Sequence, residues 1–280
     1  MLSTLEWSAA VLLGLLVGSF LNVVIHRLPT MLQRRWEVEC AALRGEEPPA
    51  QPPYNLLVPR SHCPACRASI PWWRNIPLVS FALQRGRCAA CGTRIAWRYP
   101  VVELACGALF GAAAWRYGVS LPALAWAVWG AALLALAAID WDTTLLPDDI
   151  TLPLTWAGLI GAVLGWTGVP LTDALWGAVA GYLSLWSVYW AFKLLTGKEG
   201  MGYGDFKLLA GLGAWLGWQA LIPLVLVASL VGAVVGLVLK ATGGLREGRY
   251  VPFGPFLALG GLLVWAAGPK TLLTWLGLPA

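Results

Sequence analysis

Two acidic motifs carry the residue types from which a hydrolytic site could be built. One is Ile139-Asp140-Trp141-Asp142-Thr143-Thr144-Leu145-Leu146-Pro147-Asp148-Asp149; the other is Gly200-Met201-Gly202-Tyr203-Gly204-Asp205-Phe206-Lys207. Both adjoin apolar runs, where acids are costly enough to be functional candidates by default. Two carboxylates held close together cannot both ionise easily, so one keeps a proton. The ionised member can activate a water, and the protonated member can donate to a carbonyl oxygen and then to a leaving amine. That is aspartic-protease chemistry, with no covalent intermediate and no metal. Glycines ahead of Asp205 would let a peptide backbone approach closely. The alternative is an ordinary acid at a helix start, where negative charge suits the dipole. That is the preferred reading for Asp142, Asp148, Asp149 and Asp173. For Asp140 and Asp205 the residues alone leave both readings open.

A second constellation is Cys63-Pro64-Ala65-Cys66 with Cys88-Ala89-Ala90-Cys91, separated by the 21 residues 67–87. This is close to zinc-ribbon spacing. Each CxxC places two thiolates on one knuckle, and two knuckles complete a tetrahedral four-cysteine site. With every position filled by protein, the zinc would be structural, a staple for a segment with little apolar content. A redox dithiol or an iron site is the alternative. Cys40 and Cys106 fall outside the pattern as ordinary thiols, and His26 and His62 read as structural.

The elements that must position these groups follow from composition. Of 280 residues, 59% are hydrophobic and 12% charged, about half the roughly 25% of a soluble domain. This excludes a soluble globular enzyme, a disordered tail and a disulfide-rich secreted module. The expected fold is an all-α polytopic membrane protein with about eight transmembrane helices. The first span covers about residues 5–25 and reads as a retained helix rather than a cleaved signal. The others cover about 101–115, 121–139, 150–168, 172–192, 206–218, 220–239 and 252–268. The short 206–218 segment could tilt, thin the bilayer or be half-buried in protein, and 271–277 could extend the last span or lie at the interface. Residues 26–99, arginine-rich and carrying both CxxC pairs, form a small polar insertion.

With the N-terminus outside, only Arg116 and Lys270 of the 19 Lys and Arg fall on the outer side. This positive-inside pattern places both acidic motifs at cytosolic helix ends. Recurrent pairs such as Gly14/Gly18, Gly107/Gly111, Gly177/Gly181 and Gly232/Gly236 suit close helix packing in lipid. The arginines of the insertion suit anionic headgroups, and Tyr54, Trp72, Trp73 and Trp97 could pack it on the membrane. No nucleic-acid module accompanies the charge.

Gly202-Tyr203-Gly204-Asp205 is a GxGD motif, and with Ile139-Asp140 through Leu146-Pro147-Asp148 it resembles the type IV prepilin peptidase family. The resemblance extends to Phe20-Leu21-Asn22-Val23-Val24-Ile25-His26-Arg27-Leu28-Pro29, Arg98-Tyr99-Pro100-Val101-Val102-Glu103, Lys198-Glu199-Gly200-Met201-Gly202 and Pro252-Phe253-Gly254-Pro255-Phe256. The motifs keep their order and cover nearly the whole chain. The resemblance implies an inner-membrane aspartic endopeptidase that removes the short basic leader of prepilins or pseudopilins at the cytosolic face. It also implies methylation of the new N-terminal residue from S-adenosylmethionine. By motif match the catalytic pair is Asp140, seven residues before Pro147, and Asp205.

The chain then divides into a first transmembrane helix (1–25), a cytosolic four-cysteine zinc domain (26–99) and a seven-helix bundle (100–280). No GxGxxG nucleotide fold marks the methyl-donor site. Gly86 and Glu103 are the candidates nearest the insertion, with turn geometry and helix-start charge as their alternatives. Two rival readings are a transporter using the acids as proton relays and a zinc-scaffolded assembly protein without catalysis. The sequence leaves the oligomeric state open.

Overall fold

The computed structural model describes residues 3–49, 51–243 and 251–278. Residues 244–250, which hold Arg246 and Arg249 of the expected cytosolic loop 240–251, lie outside that set. The described chain is helical. Its only β-type pairings are two isolated bridges, His62 with Ser69 and Arg87 with Arg94. It divides into two compact units, Met1–Ala135 and Leu136–Ala280.

In the first unit, α1 (Thr4–Arg44) is 41 residues long. At 1.5 Å per residue it spans about 60 Å, twice the roughly 30 Å hydrocarbon layer. The helix therefore runs past the expected boundary at Ile25, through Pro29, to an αL cap at Gly45. The apolar run ends where the helix does not, because outside lipid a helix needs no continuous apolar face. A loop folds back over this polar extension. Buried Arg27 donates to the carbonyls of Asn55 (2.9 Å) and Pro59 (2.6 Å). Arg34 donates to the Pro52 carbonyl and lies 4.5 Å from the Tyr54 ring centroid. Tyr54 thus packs on α1 within its own unit. A short helix, α2 (Val79–Leu83), precedes α3 (Arg98–Tyr117), which lies along the apolar half of α1. Their contact is made by the small residues: a Cβ on Gly14 would lie 2.7 Å from Phe110 Cβ, and one on Gly18 2.7 Å from Glu103 Cα.

The long helix α4 (Leu121–Thr143) carries the chain from one unit to the other. The second unit adds α5 (Asp148–Val163), α6 (Leu171–Thr196), α7 (Tyr203–Leu216), α8 (Leu221–Ala241), α9 (Gly254–Ala267) and α10 (Pro269–Trp275). Here α7 is the centre. It has only 14 residues, yet its residues from Phe206 to Trp215 are almost all buried, packed by α5, α6 and α9. Of the three readings open for the 206–218 segment, burial in protein is the one observed. A helix apolar all round belongs inside a bundle. Gly177 and Gly213 bring α6 and α7 together backbone to backbone, and the Trp215 indole donates to the Leu154 carbonyl of α5 at 2.8 Å.

By length and hydropathy, α1, α4 and Trp218–Ala241 can each cross a membrane. A fourth crossing arises if α9 and α10, bent by 106° at their junction, count as one. The segments expected at 101–115 and 172–192 are helical throughout, within α3 and α6; those expected at 150–168 and 206–218 are helical only to Val163 and Leu216, as α5 and α7; none of the four meets the same measure.

Candidate active site and four-cysteine centre

Asp140 lies near the end of α4 and is 4% exposed, whereas Asp142, Asp148 and Asp149 are exposed. Its carboxylate accepts a 2.9 Å hydrogen bond from the backbone N–H of Gly254, the first residue of α9. A carboxylate at a helix N-terminus meets unpaired N–H groups and the positive end of the dipole. The approach requires glycine, since a Cβ on residue 254 would sit 2.5 Å from Asp140 Oδ2. Gly254 belongs to the Pro252–Phe256 motif, but its contact with Asp140 joins positions 114 apart and is not legible in the sequence.

Asp205 stands in the first turn of α7, behind the cap residue Gly202, and is 7% exposed. Its Oδ1 is buried with no hydrogen-bond partner among the described residues. The second glycine of the motif also marks a close approach: a Cβ on Gly204 would lie 2.6 Å from Leu146 Cβ. Leu146 Cδ1 in turn would be 3.2 Å from a Cβ on Gly254. Leu146 is therefore the wedge against which both glycines seat, one beside each aspartate. The chain reaches it through Thr144, whose φ of 54° closes α4 with an N–H bond to the Asp140 carbonyl. The structure thus brings together the two aspartates chosen from sequence.

The neighbouring acids have other employment. Asp148 begins α5 and pairs with Lys207 of α7 at 2.6 Å; Asp173 accepts from Gln219 at 3.0 Å. Burying a charge costs several kcal/mol unless it is paired. No basic side chain is paired with Asp140 or Asp205 among the described ion pairs, so their burial is an expense of the kind seen at functional sites. What the arrangement offers chemically is two buried carboxyl groups, Asp140 bonded to the Gly254 N–H and Asp205 with one oxygen unpartnered among the described residues.

In the first unit the four cysteines converge. The sulfurs of Cys63, Cys66, Cys88 and Cys91 all lie within 4.8 Å of one another. The two knuckles repeat one backbone pattern. Cys63 N–H bonds to Ala68 O and Arg67 N–H to Cys63 O; Cys88 N–H bonds to Thr93 O and Gly92 N–H to Cys88 O. Arg67 and Gly92, at equivalent places, both have positive φ. A tetrahedral zinc with Zn–S of about 2.3 Å separates its sulfurs by about 3.8 Å, and Cys63 Sγ is 3.9 Å from Cys91 Sγ. The donor set and spacing therefore fit a tetrahedral metal. The amides of Cys66 and Ala65 lower the Cys63 thiol below the usual range, and the hydroxyl and amide of Thr93 lower Cys91 to about 6. Cys66 goes the other way, to about 11: the Ala68 amide lowers it, but desolvation and the other sulfurs outweigh that.

Gly86 and Glu103 both hold structure. Gly86, at φ 65°, closes the turn after α2, bonded to Phe81 O and Ile95 N, with the Phe81 ring against it. Buried Glu103 accepts from Leu78 N–H at 2.9 Å and bonds Ser19, tying α3 to α1 and to the loop before α2.

Residues 12–117 match the family model of the bacterial peptidase A24 N-terminal domain, and residues 127–237 that of the type IV leader peptidase family. A prepilin leader peptidase/N-methyltransferase of Stutzerimonas stutzeri is 55% identical over 263 residues, which are 91% of this chain and 89% of that protein. The one from Pseudomonas aeruginosa is 52% identical over 269 residues, 95% of this chain and 92% of that protein. That of Aeromonas hydrophila is 52% identical over 265 residues, 93% and 91% respectively. No solved structure matches the chain. With both domains matched in order and identity above half across nearly its full length, the chain belongs to the type IV leader peptidase family.

Proposed function

We propose that this protein is a membrane aspartic endopeptidase that cleaves the leader from type IV prepilins or pseudopilins and N-methylates the new N-terminal residue. The observation that carries the reading is the pair of buried carboxylates Asp140 and Asp205, whose turns meet at Leu146 in one unit of a leader-peptidase chain. In this reading the pair shares one proton. The ionised member removes a proton from a water that attacks the scissile carbonyl. The protonated member donates to the carbonyl oxygen and then to the departing amine. The Gly254 N–H keeps Asp140 oriented, and the buried Oδ1 of Asp205, unpartnered among the described residues, keeps its lone pairs for a water or substrate group that enters the site. Gly200 and Gly202 line the loop ahead of Asp205, so an extended backbone can approach the site from that side.

The finer arrangement follows from charge. Eight membrane segments with the N-terminus outside put residues 26–99, 140–149, 193–205 and 240–251 on the cytosolic side of the bacterial inner membrane, where the leader is removed. The 26–99 region would hold structural zinc through Cys63, Cys66, Cys88 and Cys91, a role that stiffens the insertion and supplies no reacting group. Its exposed arginines face anionic lipid. S-adenosylmethionine is the methyl donor this reading implies. It supplies the methyl group, and Gly86 and Glu103 would hold it only by giving up the bonds described above.

Purified protein incubated with a prepilin-like substrate should release the leader as a separate peptide, and a radiolabelled methyl donor in the same tube should label the shortened product. A transporter or a scaffold without catalysis would leave the substrate intact.

A further inference from the structure

The loop from α6 into α7 is fixed by a hydrogen-bonded chain that reaches Asp205 from outside the site. Lys193, in the last turn of α6, donates to Glu199 Oε1 at 2.8 Å and to the Tyr189 hydroxyl at 3.1 Å. Glu199 is itself hydrogen-bonded to Tyr189, and Tyr189 to the hydroxyl of Tyr203. Tyr189 is 2% exposed, and its ring touches both Tyr203 (5.2 Å between centroids) and Phe206 (5.7 Å). Tyr203 and Phe206 also touch each other, at 5.4 Å. They flank Asp205 in sequence, one two residues before it and one directly after. The carboxylate thus stands on a turn clamped on both sides by one buried tyrosine, and that tyrosine is held by one ion pair.

We propose that Lys193, Glu199, Tyr189 and Tyr203 are positioning residues, a clamp that sets the first turn of α7 so that Asp205 faces Asp140. The inference rests on the reading of Asp205 as a catalytic residue. Stability would not demand the clamp. Glu199 is 68% exposed and Lys193 34%, and an ion pair that open to water stabilises a fold little. The Tyr203 hydroxyl can be removed while its ring stays packed. What the chain does control is the rotation of one turn. A displacement of about 1 Å at a reacting group costs roughly a hundredfold in rate.

The test uses the full-length protein in lipid, with prepilin cleavage followed at varied substrate concentration. Glu199→Gln, Lys193→Met and Tyr203→Phe should each lower kcat by roughly ten- to a hundredfold. KM should stay within about twofold and the melting temperature should not move. Lys193→Arg should restore most of kcat, since it keeps a donor to Glu199. Glu199→Gln combined with Tyr203→Phe should be no slower than the slower single variant, because both break one chain. The proposal fails if these variants cleave at the unaltered kcat while Asp205→Asn is inactive. It also fails if their activity falls only in step with a lower melting temperature. If Asp205→Asn itself cleaves normally, the catalytic reading falls first and takes this inference with it.

Discussion

The two polar centres of this protein are built in opposite ways. The four-cysteine centre is local and partly exposed: each knuckle closes through backbone bonds within six residues, and the two knuckles lie in one polar stretch. The aspartate pair is assembled from distant places. Asp140 ends α4, Asp205 begins α7, and the N–H that orients Asp140 begins α9. If metal binds, coordination satisfies the four thiolates, of which only Cys63 is buried. The aspartates are buried with no basic partner among the described ion pairs, and Asp205 Oδ1 has no hydrogen-bond partner among the described residues. A centre whose groups are mutually satisfied reads as structural; one left partly unsatisfied reads as reactive.

The contrast sets what each centre should do when disturbed. The largest effect is expected from Asp140→Asn set beside Asp142→Asn. The first removes a buried carboxylate and should lower leader cleavage by about four orders of magnitude or more. The second alters an exposed neighbour and should leave cleavage within a few-fold. Comparable losses in both would erase the distinction that burial draws between them. Next comes Cys63→Ser with Cys88→Ser. Losing a structural metal costs several kcal/mol in a small domain, so limited proteolysis should cut within 60–95 long before the second unit opens. Cuts appearing in both units at the same protease concentration would show that the centre is not local. Gly254→Ala ranks third. Its Cβ would press on Asp140 Oδ2, so cleavage should fall roughly a hundredfold, for about 1–3 kcal/mol of stability lost to overpacking. Thermal melts with rate measurements would separate the two. Lys207→Met should matter least. Its pair with Asp148 is half-open to solvent and is worth about 0–1 kcal/mol, less at high salt. A large loss of stability from that change would mean the surface pair, not the helix packing, joins α5 to α7.

How far the sequence could be read follows the same division. The cysteine knuckles were legible because ligand spacing is a short-range property. The choice of Asp140 over Asp142 came from motif spacing; in the fold Asp140 turns inward against α9 while Asp142 stays exposed. Leu146 as the wedge beneath both glycines was not legible, since nothing local distinguishes one buried leucine from another. The polar half of α1 was missed because hydropathy reports lipid contact rather than helicity, and His26 and Arg27 end the apolar run. The short span 206–218 was seen as apolar, but only packing by α5, α6 and α9 shows that protein surrounds α7.

The central claim is that Asp140 and Asp205 act as one pair. The most direct measurement compares leader release by purified wild-type protein, Asp140→Asn, Asp205→Asn and the double variant, each confirmed folded by its melting curve. The account predicts that both single variants fall to background and that the double variant is no slower than either. A single variant that retains wild-type cleavage would contradict it.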